Sequence, residues 1–303
     1  MNNDEEKVEV FKKHRPRLFG IAYRMLGTHA ESEDILQEVY LKWHQANTDE
    51  IETAEAWLVT IVTRLSIDRL RKASRERETY IGPWLPEPLV ISDAPTPQEE
   101  LEFASNLSMA FMFLLERLSP IERAAFLLHD IFDCGYADIA RIVGKTETAS
   151  RQLIHRARER VRNDKPRFEA DQKEREKLIK KFSVASKTGD EKTLFALFSD
   201  EIVSISDGGG KVTAARKIVH GRAKLAHAFS MFGTKYGESF KNVLYQINGE
   251  LGLLTFADGK IFSATTFEFS DGKISAMYRV MNPDKLKIFE KIDEKYFSDL
   301  SQS

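Results

Sequence analysis

Basic side chains recur at helical spacing in two separate stretches of the chain, residues 64–77 and 151–162. The first stretch carries six basic residues against two acids, and the second carries five arginines against one acid. Arg151, His155 and Arg158 lie four and three residues apart, so they share one face if the segment is helical. A guanidinium can bind guanine bidentately in the major groove and can also hold phosphates. The two stretches therefore predict two contact points for nucleic acid, although the formal net charge is only −2.

The second basic stretch lies in a segment with helix-turn-helix spacing. The sequence YADIARIVGKTETASRQLIHRARERV predicts a short helix through Ile139 and Ile142, a turn at Gly144 and a second helix capped by Thr146 or Thr148. The second helix has an apolar face of Leu153, Ile154, Ala157 and Val161 and a neighbouring exposed face of Arg151, His155, Arg158 and Arg162. A surface helix whose arginines are merely solvated is the alternative.

The first basic stretch belongs to a helical block near the N-terminus. THAESEDILQEVYLKW opens with Thr28 and Glu31 at capping-box spacing. The pattern predicts a buried side of Ile35, Leu36, Val39 and Trp43 and exposed positions at Asp34, Gln37, Glu38 and Leu41. The helix of TAEAWLVTIVTRLSIDRLRKASRER is predicted to bury Trp57, Leu58, Ile61, Val62 and Leu65 and to expose Arg64, Asp68, Arg71 and Arg75. A solvated charged face explains this last stripe equally well.

A linker and a tail of different composition complete the chain. Five of the nine prolines lie in residues 83–97, where they rule out continuous helix or central strand. Eleven of the sixteen glycines follow residue 170, and ADGK at 257–260 and SDGK at 270–273 predict β-hairpins. In residues 274–280 the apolar alternation predicts a last strand buried on one face. The order is therefore helices, linker, helices and a mixed α+β domain that begins with two helices.

The triple glycine between Asp207 and Lys211 allows three interpretations. A phosphate cradle is disfavoured because the GxxxxGK[ST] pattern does not follow. A glycine hairpin, needed only for positive φ, remains open. We favour a docking surface, because glycines allow another backbone to come close, and the stiff apolar Trp84-Leu85-Pro86 segment is suited to such a groove.

Several function classes are disfavoured by composition. The single cysteine, Cys134, cannot form an internal disulfide or a thiolate cluster. The acidic N-terminus lacks the blocks of a signal peptide, and the apolar runs are shorter than the ~20 residues that cross a bilayer. We therefore expect a cytoplasmic protein without a membrane partner, a metal site or a cofactor.

The helical blocks resemble a known family. AESEDILQEVYLKW, AWLVTIVTRLSIDRLRK and LSPIERAAFLLHDIFDCGYADIARIVGKTETASRQLIHRARERV are similar to regions 2 and 4 of an extracytoplasmic-function sigma factor over about residues 8–165. The motifs WLPEP at 84–88, DGGGKV at 207–212 and NPDKL at 282–286 resemble the subgroup with a SnoaL-like C-terminal extension. The resemblance implies a multidomain fold of two all-α sigma domains, with the helix-turn-helix in the second, followed by an α+β cone with a curved antiparallel sheet. The implied boundaries are region 2 at 1–78, the linker at 79–103, region 4 at 104–168 and the SnoaL-like domain at 171–303.

The resemblance also implies partners: the β′ and β subunits of core RNA polymerase and promoter DNA. The helix at 30–43 would dock on the β′ clamp helices, and the loop at about 47–55 would capture a flipped base of the −10 element. The implied polymerase contacts are Asp34, Gln37, Glu38 and Leu41. The −10 residues are Arg64, Asp68, Arg71, Lys72 and Arg75, and the −35 residues are Thr148, Arg151, Gln152, His155 and Arg158.

In the tail we expect regulation rather than catalysis. Some SnoaL-like proteins are enzymes, but the candidates Asp207, His220, His227 and Asp258 do not converge by spacing. The expected docking set is Trp84, Leu85 and Pro86 with Asp207, Gly208, Gly209, Gly210, Lys211, Asn282, Pro283, Asp284 and Lys285, through which the tail would tune promoter binding. The NPDKL motif could equally cap a helix. A small-molecule ligand in the cone, a cone-fold enzyme or sensor fused to a DNA-binding module, and an ordinary helix-turn-helix repressor or activator remain alternatives.

Overall fold

The computed structural model describes residues 3–90, 107–162, 171–290 and 292. The predicted linker residues 91–103, with two of its prolines, and the side chain of Arg162 lie outside the described residues. The chain forms two compact units. The helical unit comprises Met1–Thr79, Ser92–Leu107 and Phe111–Lys165, and the C-terminal unit comprises Tyr80–Ile91, Ser108–Ala110 and Pro166–Ser303.

The first half of the helical unit consists of three long helices that pack against one another. They are α1 (Asn3–Leu26), α2 (His29–Gln45) and α3 (Ala54–Arg77), with a 3-10 turn at Thr48–Glu50. The predicted buried side of α2 is confirmed, since Ile35, Leu36, Val39 and Trp43 are at most 3% exposed. Removing these side chains from water supplies the driving force that holds α2 against its neighbours.

Two local predictions in this half are wrong. Thr28 occupies the N-cap of α2, but its hydroxyl donates to Glu31 Oε2 at 2.9 Å, so the capping box does not form. On α3, Trp57, Ile61 and Leu65 are only partly buried, whereas Leu58 and Val62 are buried as predicted. The buried positions of α3 also include Val59, Ser66, Ile67 and Leu70. The small polar Ser66 belongs to the buried face of α3. A prediction from apolar residues alone leaves it out, so it places the centre of the buried face too far around the helix.

The second half of the helical unit contains the helix-turn-helix. Its helices are α4 (Met109–Leu115), α5 (Pro120–Asp130), α6 (Tyr136–Val143) and α7 (Glu147–Arg162). Gly144 ends α6 at φ +67°, a conformation that favours glycine. Thr146 caps α7, because its hydroxyl oxygen accepts from Ala149 N at 3.2 Å. The predicted turn and one of the two predicted caps are therefore confirmed.

The C-terminal unit packs helices on a six-stranded sheet. Its elements are α8 (Gln172–Thr188), α9 (Glu191–Leu197), β1 (Phe198–Asp207), β2 (Val219–His220), α10 (Arg222–Tyr236), β3 (Phe240–Ile247), β4 (Glu250–Ala257), β5 (Lys260–Ser270) and β6 (Lys273–Val280). Short 3-10 turns lie at Gly237–Ser239, Pro283–Lys285 and Lys287–Phe289. The strand order is β2-β1-β6-β5-β4-β3. The two predicted opening helices are confirmed, and the predicted antiparallel sheet is correct for every pair except β1–β6, which is parallel.

Tight turns join the long strands of this sheet. Asp258-Gly259 and Asp271-Gly272 both have positive φ, so the two predicted hairpins are confirmed. A third hairpin turns at Asn248-Gly249 in the same way. Sequence reasoning missed this turn, although Asn-Gly between apolar runs is a strong hairpin signal.

The core of the C-terminal unit lies between the sheet and its helices. Phe182 of α8, Phe198 of β1, Phe267 of β5 and Met277 of β6 belong to one buried cluster. The four β6 residues predicted to be buried, Ile274, Ala276, Tyr278 and Val280, are at most 6% exposed, and Met277, predicted on the opposite face, is buried as well. Ile274 joins Met277 in the cluster because a register shift between Glu268 and Phe269 breaks the strict alternation.

Among the helices that the structure describes, none combines the length and apolar character required to span a bilayer.

Candidate functional site

Helix α7 presents one polar face outward. Thr148, Arg151, Gln152, His155 and Arg158 are all exposed, while Ile154, Ala157 and Val161 are buried beneath them and Leu153 is half-buried. The apolar stripe docks α7 on α5 and α6. This packing fixes the rotation of the helix, so the structure brings the five predicted −35 residues to one surface.

The cationic groups on this face pair with acids of the same unit. Arg151 Nη2 lies 2.6 Å from Glu147 Oε1, and its guanidinium carbon lies 4.1 Å from the centroid of the Tyr136 ring. Arg158 Nε lies 2.8 Å from Asp130 Oδ2, and this hydrogen bond raises the pKa of Arg158. Exposed ion pairs contribute only about 0–1 kcal/mol, so phosphates or bases can replace these acids at little energetic cost.

The predicted −10 residues lie on the exposed side of α3. Arg64, Asp68, Arg71, Lys72 and Arg75 are all exposed. Arg71 Nη1 donates to Asp68 at 2.8 Å. Arg64 is engaged within the unit, since its guanidinium donates to the carbonyl oxygens of Arg141 at 2.8 Å and Ile142 at 3.1 Å. These carbonyls lie in the last turn of α6, where the helix dipole favours a cation.

Helix α2 exposes an apolar side chain among acids. Asp34, Gln37 and Glu38 are exposed, and Leu41 is 58% exposed. The structure therefore places all four predicted polymerase contacts on one accessible helix. An exposed leucine beside carboxylates fits a partner surface that carries arginines around an apolar patch.

In the C-terminal unit, Asp207 at the end of β1 binds the linker. The carboxylate is fully buried. Oδ1 accepts from the Tyr80 hydroxyl at 2.6 Å and from Gly209 N at 3.0 Å, and Oδ2 accepts from Leu85 N at 2.9 Å and from Lys285 Nζ at 2.7 Å. We call Asp207, Asn282 and Lys285, with Tyr80, Trp84 and Leu85, the linker-docking site.

Lys285 is the cation of the linker-docking site. Its ammonium group also donates to the carbonyl oxygen of Leu85 and lies 4.1 Å from the centroid of the Trp84 ring. Lys285 is only 7% exposed, so the charge is compensated by Asp207, by a carbonyl and by an aromatic face. Burial, followed by the hydrogen bond to Asp207, raises the pKa of Tyr80 above its ordinary value, so this hydroxyl stays a donor at neutral pH.

The triple glycine approaches the linker closely, but at residues other than those predicted. Gly209 and Gly210 have φ of +59° and +70°. A Cβ on Gly210 would lie 2.8 Å from Ile81 Cδ1, and one on Gly209 would lie 3.0 Å from the Tyr80 hydroxyl. The predicted neighbour was Trp84-Leu85-Pro86. Tyr80 and Ile81 take that place, while Trp84 and Leu85 contact Lys285 and Asp207.

Two asparagines complete the attachment of the linker. Asn282 caps the 3-10 turn, where its Oδ1 accepts from Asp284 N at 3.1 Å, and its Nδ2 donates to the Tyr80 hydroxyl at 2.9 Å. It thus performs both roles considered for the NPDKL motif. Asn248, which sequence reasoning missed, accepts from Leu89 N at 2.9 Å through Oδ1 and donates through its backbone N to Leu89 O at 2.8 Å.

The remaining predicted docking residues lie at the edge of the site. Lys211 pairs with Asp284, and both side chains are 52% exposed. A Cβ on Gly208 would meet Val212 and Ala214 of its own loop rather than the linker. Pro86 is buried. Pro283 begins the 3-10 turn, where its missing N–H leaves no donor unsatisfied, and its carbonyl oxygen accepts from Leu286 N at 3.2 Å.

The four catalytic candidates do not come together. Asp207 is buried in the linker-docking site, His220 is exposed on β2, and Asp258 lies in a hairpin turn. His227 Nδ1 lies 3.2 Å from Glu191 Oε2 on the surface. In the part of the chain that the structure describes, none of the four lines the cavity between helices and sheet.

Comparisons with known proteins agree with this architecture. The chain matches the family models of sigma-70 region 2 over residues 10–76 and sigma-70 region 4 over residues 108–161. It is 37% identical to the ECF RNA polymerase sigma factor SigJ of Mycobacterium tuberculosis over 92% of this chain and 93% of that protein. It is 26% identical to the probable ECF RNA polymerase sigma factor SigI of the same species over 94% and 97% of the two chains. The crystal structure of SigJ superposes with a TM-score of 0.74 at 33% identity, covering 92% of this chain and 98% of that one.

Proposed function

Because this chain belongs to the extracytoplasmic-function family of RNA polymerase sigma factors, we propose that its C-terminal unit tunes promoter recognition by holding the linker. The protein directs RNA polymerase to specific promoters for the initiation of transcription. The family is not enzymatic, and in this chain the failure of the four catalytic candidates to converge supports a regulatory rather than a catalytic tail. We place the protein with its polymerase in the cytoplasm.

The exposed surfaces of the helical unit carry the proposed contacts. Region 2, at residues 1–78, would bind core polymerase through α2 and the −10 element through α3. Region 4, at 104–168, would read the −35 element through α7. The linker would occupy 79–103 and the SnoaL-like domain 171–303. Support comes from the exposure of every proposed contact residue together with the cationic character of α3 and α7.

The observation that carries the regulatory proposal is the buried Asp207–Lys285 pair. The pair bonds to the linker through the Leu85 amide, the Leu85 carbonyl and the Tyr80 hydroxyl. Removing one partner of a buried ion pair typically costs about 3–5 kcal/mol, because the other charge is left uncompensated. A free energy of this size is enough to shift the balance between a held and a released linker by more than about a hundredfold.

The test is run-off transcription with bacterial core polymerase on a promoter selected from a random library. Three proteins are compared with the full chain: a truncation after Lys165, Lys285→Met in the linker-docking site, and Lys211→Met as control. The control removes the same ammonium group from the exposed pair with Asp284. We expect initiation only when the protein is added. We also expect Lys285→Met to change the rate in the same direction as the truncation, with Lys211→Met equal to the full chain.

Two results would contradict different parts of the proposal. If the truncation and Lys285→Met both initiate at the rate of the full chain, the C-terminal unit does not act through the linker. If no form supports initiation with core polymerase, while the protein still binds duplex DNA, the chain behaves as an ordinary helix-turn-helix regulator. Thermal unfolding of each variant shows whether a changed rate reflects the contact or loss of the fold.

A further inference from the structure

A row of polar side chains crosses the face of the sheet that the helices cover. Asn242 of β3 pairs with Thr255 of β4, and Thr265 of β5 pairs with Arg279 of β6. All four line a cavity of about 40 Å³. They lie on the same face as the buried core, since Thr265 and Phe267, like Met277 and Arg279, are two residues apart on their strands. The interior of the C-terminal unit therefore contains hydrogen-bonding groups beside its apolar core.

Arg279 brings a positive charge into this cavity. Its guanidinium carbon lies 5.2 Å from the centroid of the Phe229 ring. None of the described acids comes within ion-pair distance of it. Arg123, a buried arginine of the helical unit, is different, because it donates to Glu116 at 2.6 Å. Burial lowers the pKa of Arg279 to about 10, which leaves the guanidinium charged at neutral pH. A partly buried cation of this kind lacks an anion.

We propose that this cavity binds the carboxylate group of a small organic acid. The planar fork of Arg279 matches a carboxylate bidentately, while the Thr265 hydroxyl and the Asn242 amide can donate to the same oxygens. The volume exceeds the roughly 10–15 Å³ that one water requires, so a carboxylate fits. Lys187 also lines the cavity and adds a second basic residue beside Arg279.

The side chains around the cavity indicate that the acid carries an apolar group. Phe182, Phe229, Phe232, Phe240 and Phe262 form the wall of the cavity. Phe232 is 37% exposed, and the Tyr236 ring, 42% exposed, lies 5.1 Å from it, so the aromatic wall reaches the surface of the unit. A ring attached to the carboxylate would lie against these side chains. In the described chain no member of the linker-docking site lines the cavity, so the inference does not depend on the function of the linker.

The test uses the full-length protein and benzoate as the probe. Calorimetric titration and thermal unfolding are recorded with sodium benzoate, with benzyl alcohol as a ring of similar size without charge, and with sodium chloride at equal ionic strength. We expect saturable binding and a raised unfolding midpoint with benzoate alone, since a ligand that binds only the folded state stabilises it. Arg279→Met keeps an unbranched side chain without the guanidinium charge and should weaken benzoate binding at least about tenfold.

Arg222 supplies the matched control. Its guanidinium carbon lies 4.3 Å from the Phe195 centroid and it pairs with Asp200, outside the cavity. We expect Arg222→Met to bind benzoate like the unaltered protein. Should Arg279→Met fail to fold, Thr265→Val, which keeps the shape and removes the hydroxyl, should weaken binding by about threefold to tenfold. The proposal is overturned if benzoate shows no saturable binding, if benzyl alcohol binds as well, or if binding survives unchanged in these cavity variants.

Discussion

Asp207 shows how one carboxylate can hold a segment of chain. A carboxylate offers about four lone-pair directions, and the four donors around Asp207 fill them. Two donors belong to the linker, one to the glycine loop and one to Lys285. Its backbone carbonyl meanwhile accepts from Met281 N at 2.8 Å and Asn282 N at 2.9 Å. Substitution by asparagine would remove the charge and replace an acceptor by a donor, so Lys285 would lose its countercharge and one linker donor would lose its acceptor.

A half-buried acid, Glu250 at the start of β4, makes stability depend on pH. The pKa of its carboxyl is raised from 4.5 to about 7, mainly by burial, which Arg175 opposes and the charge of Glu268 reinforces. The folded state therefore holds this proton more tightly than the unfolded chain. The resulting stabilisation is complete below about pH 4.5 and is lost as the pH rises through 7.

We expect Glu250→Gln to equal the unaltered protein near pH 4 and to be more stable by about 1–3 kcal/mol at pH 8. Glutamine keeps the size of the side chain and does not become charged. The measurement is the free energy of unfolding in urea at several pH values. Glu201→Gln, at an exposed position on β1, is the control and should leave the curve unchanged. Parallel pH curves for Glu250→Gln and the unaltered protein would show that the Glu250 carboxyl is ionised normally.

At the scale of elements, the glycine loop after β1 allows the cost of backbone strain to be compared with the cost of a steric contact. Gly210 and Gly272 both have φ of +70°. A Cβ on Gly210 would lie 2.8 Å from Ile81 Cδ1. A Cβ on Gly272 would have none of the described atoms within 4 Å. We expect Gly272→Ala to cost about 1–2 kcal/mol of strain and Gly210→Ala to cost more, because Ile81 must also move.

Hydrogen exchange at the linker provides the readout for this pair. Both variants are compared with the unaltered protein, with attention to the Leu85 and Leu89 amides that donate to Asp207 and Asn248. We expect faster exchange at Leu85 in Gly210→Ala and unchanged exchange in Gly272→Ala. Equal exchange in the two variants would mean that the glycine loop does not help to hold the linker.

Elements formed by local signals were predictable from the sequence, whereas their long-range pairings were not. Asp258-Gly259, Asp271-Gly272 and the Gly144 turn need only the conformational preferences of a few adjacent residues, and these predictions were right. The parallel β1–β6 pair, the Leu89–Asn248 bonds and the engagement of Arg64 by α6 join residues 70 or more positions apart. Spacing within one segment carries no information on such contacts, so the docking motifs were identified but their partners Tyr80 and Ile81 were not.

At the scale of the whole molecule, the two proposed DNA surfaces lie in one compact unit. The −10 and −35 elements lie about 25 base pairs apart, or roughly 85 Å at 3.4 Å per base pair. A compact unit of about 150 residues has a radius of gyration near 15 Å. Arg64 joins α3 to α6, Arg17 Nη2 of α1 donates to Phe132 O at 2.7 Å, and Glu116 pairs with both Arg77 and Arg123. If the proposed surfaces bind both elements at once, we expect these contacts between regions 2 and 4 to break first.

Weakening one of these contacts should therefore favour promoter binding. We expect Arg17→Met to tighten the complex of polymerase, protein and promoter by at least about tenfold, because a charge-assisted hydrogen bond worth about 1.5–3 kcal/mol no longer has to be broken. Arg15→Met is the control, since Arg15 on the same helix pairs with Glu33 at 2.7 Å within region 2. The measurement is promoter affinity with core polymerase, alongside energy transfer between dyes at Lys13 and Glu159. Arg17→Met and the unaltered protein could bind the promoter with equal affinity, and the distance between the dyes could stay the same on binding in both. That result would mean that regions 2 and 4 bind the promoter without separating.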